Sequence, residues 1–279
     1  MANSDLMRIR TNVLARGLLD NLRQVNANLA THQLRLGTGQ RINGASDDPA
    51  GLTISSKLRA SYRVWDALYD NAGQAKNMLA VAEGGLMEIS SILTTMNEKI
   101  VTAASDSLGS EERRAISQQL TQLRDEINDI ASQTEFNGVA LLDQTRTFKF
   151  TTAPRAQTTW TSAPYDTTTL EMANLNALTT EDSIDSTNYT DYYDEVEAAI
   201  STVSAGLTAI GSLTNRLTAK ENVISVARNN TEAAYHRIFN ADMAEEQIEV
   251  TKLQILQQTT LQMMAQANLN SRAVLTLFD

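Results

Sequence analysis

The chain has 279 residues, no cysteine and a formal net charge of −10 at pH 7. The missing cysteine excludes disulfides, thiolate metal sites and a cysteine nucleophile, and the acidic balance argues against a nucleic-acid partner. With 42% hydrophobic and 5% aromatic residues, 12 glycines and three prolines, the composition suits long helices better than an enzyme with one thick core.

The first stretch, "MANSDLMRIRTNVLARGLLDN", interleaves charges every few residues and lacks the continuous apolar run of a secretory signal. A chain exported from the cell with this N-terminus would leave by another route. No apolar stretch is expected to serve as a membrane span of about 20 residues. Over residues 4–36 a helix is predicted, with Leu14, Leu18, Leu22, Val25, Leu29 and Leu36 apolar. After one four-residue step their spacing settles to 3 and 4, the seam of a coiled coil. His32 falls on that seam, and with no Cys or His nearby it reads as a hydrogen-bonded or interfacial residue rather than a metal ligand. Six Arg against two Asp in residues 1–44 read as a solvated face or as a surface that meets acidic neighbours.

"RINGASDDPAGLTISSKL" (41–58) concentrates turn formers in an otherwise helical chain. Gly44 permits unusual backbone angles. Pro49 disfavours helix at Asp48 and suits the first turn of a new helix, with Asp48 as its cap. One helix therefore ends near Leu36–Gly39, and a second begins near Pro49. Arg41, Asn43, Asp47, Asp48 and Pro49 are taken as an inter-domain joint.

Residues 49–104 read as one long helix, carrying Leu68, Met78, Leu79, Leu86, Ile89, Leu93 and Met96 at helical period. Gly84-Gly85 inside it costs about 1 kcal/mol per glycine against alanine, so close helix approach or a kink is expected there. A break at 105–109 follows. Ser110 reads as an N-cap, and a helix over 110–134 carries Ile116, Leu120, Leu123, Ile127 and Ile130. In "FNGVALLD" (136–143), Asn137-Gly138 signals a tight turn.

Composition then shifts: residues 147–190 hold 16 Ser or Thr. "TFKFTT" and "TTTLEM" alternate, predicting a β-hairpin with "APRAQTTWTSAPYD" between its arms. Thr158, Thr159 and Ser162 in that loop are candidate acceptors of O-linked sugar, beside the plainer reading of a polar hairpin tip. Helix resumes near Tyr189 and is expected to run nearly to the end. Its last part, Leu253, Leu256, Thr260, Met263, Ala267, Asn270, Val274 and Leu277, alternates steps of 3 and 4 for more than three heptads. Each end of the chain thus carries a coiled-coil former. Packed on each other they make an antiparallel pair, and the stripes left over would meet further copies in an open helical polymer.

Catalytic patterns are missing. The two histidines lie far apart, and no HExxH, nucleophile elbow or phosphate-binding glycine loop occurs. Paired carboxylates such as Asp47/Asp48, Glu111/Glu112 and Glu245/Glu246 read as solvated faces or caps. No enzyme activity, metal or cofactor is expected.

"LRLGTGQRINGASDDPAGLTISSKLRA" (34–60), "QTEFNGVALLD" (133–143) and "LQILQQTTLQMMAQANLNSRAVLTLF" (253–278) together resemble bacterial flagellin. The resemblance covers roughly residues 8–145 and 189–279 and implies a mainly α fold, a long antiparallel coiled-coil bundle with a small β-hairpin. It implies an inner domain lining the filament bore, from 1–44 and 236–279, an outer helical domain, from 45–145 and 189–235, and a variable surface segment, 146–188. With about 45 residues in the middle, the chain resembles a short form without large outer domains. The resemblance further implies a secreted, extracellular structural subunit of the flagellar propeller, exported by the flagellar type III apparatus. Its implied partners are many copies of itself, an export chaperone, a filament cap and hook-associated proteins. Leu18, Leu22, Val25, Leu29, Leu36, Leu253, Leu256, Met263, Val274 and Leu277 would form the inner assembly interface. Asn97-Glu98-Lys99 and Gln119 depart from residues that engage an innate immune receptor in many flagellins, so weak recognition is expected. The alternative is the hook–filament junction protein, which shares the helices and the joint but ordinarily lacks "FNGVALL" followed by the "QILQQ…AQAN" ending.

Overall fold

A computed structural model describes residues 12–179, 184–185 and 187–275, with side chains described as far as Leu269. The elements are α1 (Val13–Thr38), α2 (Pro49–Ala103), α3 (Ser110–Gln133), β1 (Glu135–Phe136), β2 (Val139–Ala140), β3 (Arg146–Ala153), β4 (Ala156–Ser162), α4 (Ala173–Ala177), α5 (Tyr189–Phe239) and α6 (Met243–Leu275). The chain divides into two compact units: Met1–Tyr62 with Asn230–Asp279, and Arg63–Asn229.

The unit of residues 63–229 owns the large core. Along α2 the buried residues Leu79, Ala82, Leu86, Ile89, Leu93, Met96, Ile100 and Ala103 alternate steps of 3 and 4, the heptad row of helices that pack side by side. Leu120 and Ile127 of α3 and Val196, Ala199, Val203, Ile210, Leu213 and Leu217 of α5 join the same cluster, with Leu141, Leu142, Trp160 and Met172 from the segments between them. By length and composition α5 passes for a membrane span, with mean hydropathy 1.3 over 18 residues. That departs from the sequence expectation; the apolarity belongs to a core row of the helical unit.

Gly85 explains one of the paired glycines. A methyl group on it would meet Thr134 Oγ1 at 2.6 Å and the Leu142 side chain at 2.9 Å, whereas Gly84 faces open space. Asn137 (φ 53°) and Gly138 (φ 75°) form the β1–β2 turn. Gly109 rather than Ser110 caps α3, with no side-chain bond.

The hairpin differs from its expected form. β3 matches "TFKFTT", but its partner is β4, inside the segment expected as loop. Pro154-Arg155 closes the turn at once, the shortest loop being the least costly. Phe148 then stacks on Trp160 at 5.3 Å, a burial that a tryptophan at a loop tip would forgo. "TTTLEM" instead forms turns leading into α4.

A further departure is at the end of α5. The expected continuous helix is broken at Asn240–Asp242, and α6 starts anew with Asp242 Oδ1 accepting from Ala244 N at 2.9 Å.

Candidate assembly surface and joint

In the unit of the termini, α1 and α6 pair antiparallel. Asn26 lies opposite Gln257, whose Nε2 donates to Asn26 Oδ1 at 2.7 Å, and Asn12 Nδ2 donates to the Ala267 carbonyl at 3.1 Å. On α1 the facing row is Leu18, Leu22, Val25, Leu29, His32 and Leu36. The row on α6 is Glu246, Val250, Leu253, Gln257, Thr260, Met264 and Ala267, again alternating 4 and 3. Val25, Leu29, Val250 and Leu253 form the buried cluster, with Leu36 packed against it. Leu18 and Leu22 are half-buried.

Leu256 and Met263, expected on this seam, face outward and are 43% and 56% exposed. The α6 row steps 253, 257, 260, 264, so among the described side chains of the expected series Leu253, Thr260 and Ala267 are the buried ones. Val274 lies in α6 beyond the described side chains, and Leu277 lies outside the described residues. Sequence reasoning missed Ile248, Ile255 and Leu269, also exposed and spaced in sevens. Letting 250 and 257 be a and 253 and 260 be d, these three are f positions, which an isolated two-helix pair leaves to water. The signal was legible as a second heptad register on the same helix.

His32 meets the expectation of a hydrogen-bonded seam residue: its Nδ1 contacts Glu246 Oε2. Glu246 was read as a solvated face or cap. It is instead 8% exposed, and Arg35 reaches its other oxygen at 3.5 Å.

Arg41, Asn43, Asp47, Asp48 and Pro49, expected as an inter-domain joint, all lie within the unit of the termini, between the end of α1 and the first residue of α2. Gly39, in the left-handed conformation at φ 68°, ends α1; Gly44, expected to carry the unusual backbone angles, has no positive φ. The chain then bonds the α5–α6 break: Arg41 N donates to the Phe239 carbonyl at 2.8 Å and Ala241 N to the Gly39 carbonyl at 3.1 Å. The Arg41 guanidinium donates twice to the Ile238 carbonyl, at 3.0 and 2.9 Å, and reaches Asp48 at 3.4 Å. Asp47 Oδ2 accepts from Asn43 N and Gly44 N, each at 2.9 Å. Asp48 Oδ1 caps α2 through Gly51 N at 2.8 Å, and Pro49 opens that helix. Ile42 points inward at 2% exposure.

On β4 the two-residue period of a strand decides which hydroxyls face out. Thr158 and Ser162 are buried; Thr158 shares a hydrogen bond with Thr152 at 3.0 Å, and Ser162 donates to the Gln144 carbonyl at 2.9 Å. Both are thereby corrected as sugar acceptors of the folded chain, while Thr159 is exposed.

Family comparison matches residues 9–147 to the bacterial flagellin N-terminal helical region and residues 193–278 to the bacterial flagellin C-terminal helical region. A flagellin of Halalkalibacterium halodurans is 35% identical over 87% of this chain and 89% of its own length. The chain belongs to the bacterial flagellin family. A Bacillus subtilis flagellin is 31% identical over 97% of this chain and 99% of its own. A solved Vibrio parahaemolyticus protein, described as flagellar hook-associated, covers 70% of this chain and all of its own with a TM-score of 0.61. At 16% identity that likeness is one of fold, so the hook-associated alternative has less behind it. This flagellin is a structural subunit that self-polymerises into the extracellular flagellar filament, in a family of structural proteins rather than enzymes.

Proposed function

We propose that polymerisation is driven by the outward face of α6, with the α1–α6 pair as the inner, bore-lining part of the subunit. Residues 45–145 and 189–235 would then form the outer tube, residues 146–188 the filament surface, and the 41–49 joint the link that also meets neighbouring copies. The observation that carries this reading is the set Ile248, Ile255, Leu256, Met263 and Leu269, all exposed on α6, three at the f positions opposite the seam and Leu256 and Met263 at the g positions between them and the seam. Fully burying such a side chain stabilises by about 1.5–3 kcal/mol, and many identical copies repeat the gain along an open helical polymer. The same face is suited to an export chaperone before assembly. Type III export, a filament cap and hook-associated proteins follow from family membership as part of this proposal.

Deleting residues 253–279 tests it. The truncated chain is expected to keep the helical signal of residues 63–229 and to add no length to seeded filaments under electron microscopy. Elongation at the full-length rate would overturn the reading.

A further inference from the structure

We propose that Glu246, clasped between His32 and Arg35, sets the register of α6 against α1. It is a positioning residue that selects one antiparallel alignment among several that the apolar side chains leave nearly equal. The apolar seam is thin: among the described residues Val25, Leu29, Val250 and Leu253 are buried together, with Leu36 packed against them. On α1, leucines recur on the facing row at 18, 22, 29 and 36. Sliding α6 by one heptad in one direction sets Leu18 and Leu22 against Val250 and Leu253, and the opposite slide sets His32 and Leu36 there, so apolar burial alone discriminates weakly, above all in the first direction.

The carboxylate discriminates strongly. In the observed register one oxygen contacts His32 Nδ1 and the other Arg35 Nη1 at 3.5 Å, while the residue is 8% exposed. A shift of seven residues in one direction gives it Val25 and Asn28 as neighbours. The opposite shift gives it Gly39 and Ile42, past the end of α1. Neither pair offers a cation, and burying an unpaired carboxylate is among the most costly events in a fold. A single buried polar group fixing the alignment of a helix pair is a known use of such residues. Gln257 with Asn26, which is exposed, and Asn12 with the Ala267 carbonyl match in the same register but are uncharged. The backbone bonds of Ala241 to Gly39 and of Arg41 to Phe239 hold the end of the pair in that register too, so Glu246 acts along the helices beyond the joint. The inference concerns the fold of one chain and stands whether or not the outward face of α6 drives polymerisation.

The absence of cysteine makes register directly readable by cross-linking. In the full-length chain Gln257→Cys is combined in turn with Asn26→Cys, Leu19→Cys and Gln33→Cys, the last two lying one heptad either side of Asn26. Oxidation is scored by the intramolecular shift on a non-reducing gel. With Glu246 intact, cross-linking is expected through position 26 alone. With Glu246→Gln or Glu246→Leu, positions 19 or 33 together are expected to take at least a tenth of the cross-links while helical content is unchanged. Exchanging the charges by Glu246→Arg with Arg35→Glu is expected to restore position 26 alone. Exclusive use of position 26 by the Gln and Leu variants would overturn the proposal. Loss of all cross-linking with a fall in helicity would overturn it too, making Glu246 a residue of stability rather than of register.

Discussion

At the scale of single residues, neighbouring glycines carry opposite predictions. Alanine at position 84 meets nothing within 4 Å and removes a helix penalty of up to about 1 kcal/mol, so Gly84→Ala is expected to raise the melting temperature by a few degrees. At position 85 the same helix gain applies, but the new methyl group runs into Thr134 and Leu142. Thr134 cannot swing aside freely, because its hydroxyl donates to the Ile130 carbonyl at 2.6 Å. Overpacking of this kind costs roughly 1–3 kcal/mol, so Gly85→Ala is expected to melt lower than the parent in calorimetry. Tyr165 gives a pH prediction. Burial raises its phenol above the ordinary value of 10.0, so above that pH the unfolded chain releases the proton first and gains on the folded one. The contribution is whole below pH 10 and is lost as pH rises through the folded value. Tyr165→Phe is expected to flatten the fall in stability above pH 10 in denaturant titrations; an unchanged slope would refute it.

At the scale of elements, α6 separates two kinds of damage. Leu253 is buried in the cluster with α1, whereas Leu256 and Met263 lie outside that cluster and are exposed. Leu253→Asp places a charge inside the pair and is expected to lower the helicity of the monomer. Leu256→Asp and Met263→Asp are expected to leave monomer helicity intact and to raise the critical concentration for assembly by about 10-fold or more, since each removes roughly 1.5–3 kcal/mol of burial per contact. Sedimentation of seeded reactions measures this, and normal filaments from both variants would contradict it. The helices were legible in the sequence because their apolar residues repeat with the helical period: the predicted starts at Pro49 and near Tyr189 are those found, and α3 begins at Ser110, the residue expected to cap it. The joint was legible through turn chemistry. What escaped the sequence depended on contacts distant in the chain. Glu246 looks like any surface carboxylate until His32 and Arg35 are brought to it. The second strand of the hairpin was misplaced because Thr-rich alternation occurs twice, and only the partner for Trp160 decides between the copies. The break at Asn240–Asp242 was overlooked, although Asp242 followed by Glu245 is a capping signal.

At the scale of the whole molecule, burial is divided unevenly. Residues 63–229 hold a continuous cluster drawn from α2, α3 and α5. Across α1 and α6, helices of 26 and 33 residues, the buried apolar cluster is Val25, Leu29, Val250 and Leu253. Among the described residues that cluster of four offsets only a small part of the entropy of ordering two such helices, and helices owe most of their stability to packing. The pair should therefore open often in the monomer and, on the proposal that neighbouring copies cover α6, seldom in the filament. Amide hydrogen exchange reads both states. In the monomer, amides of residues 18–36 and 246–267 are expected to exchange at least 100-fold faster than those of residues 79–100. In sheared filaments the two sets should approach each other. Equal protection of both sets in the monomer would show that the α1–α6 pair is stable alone, and would remove the reason for the chain to polymerise through it.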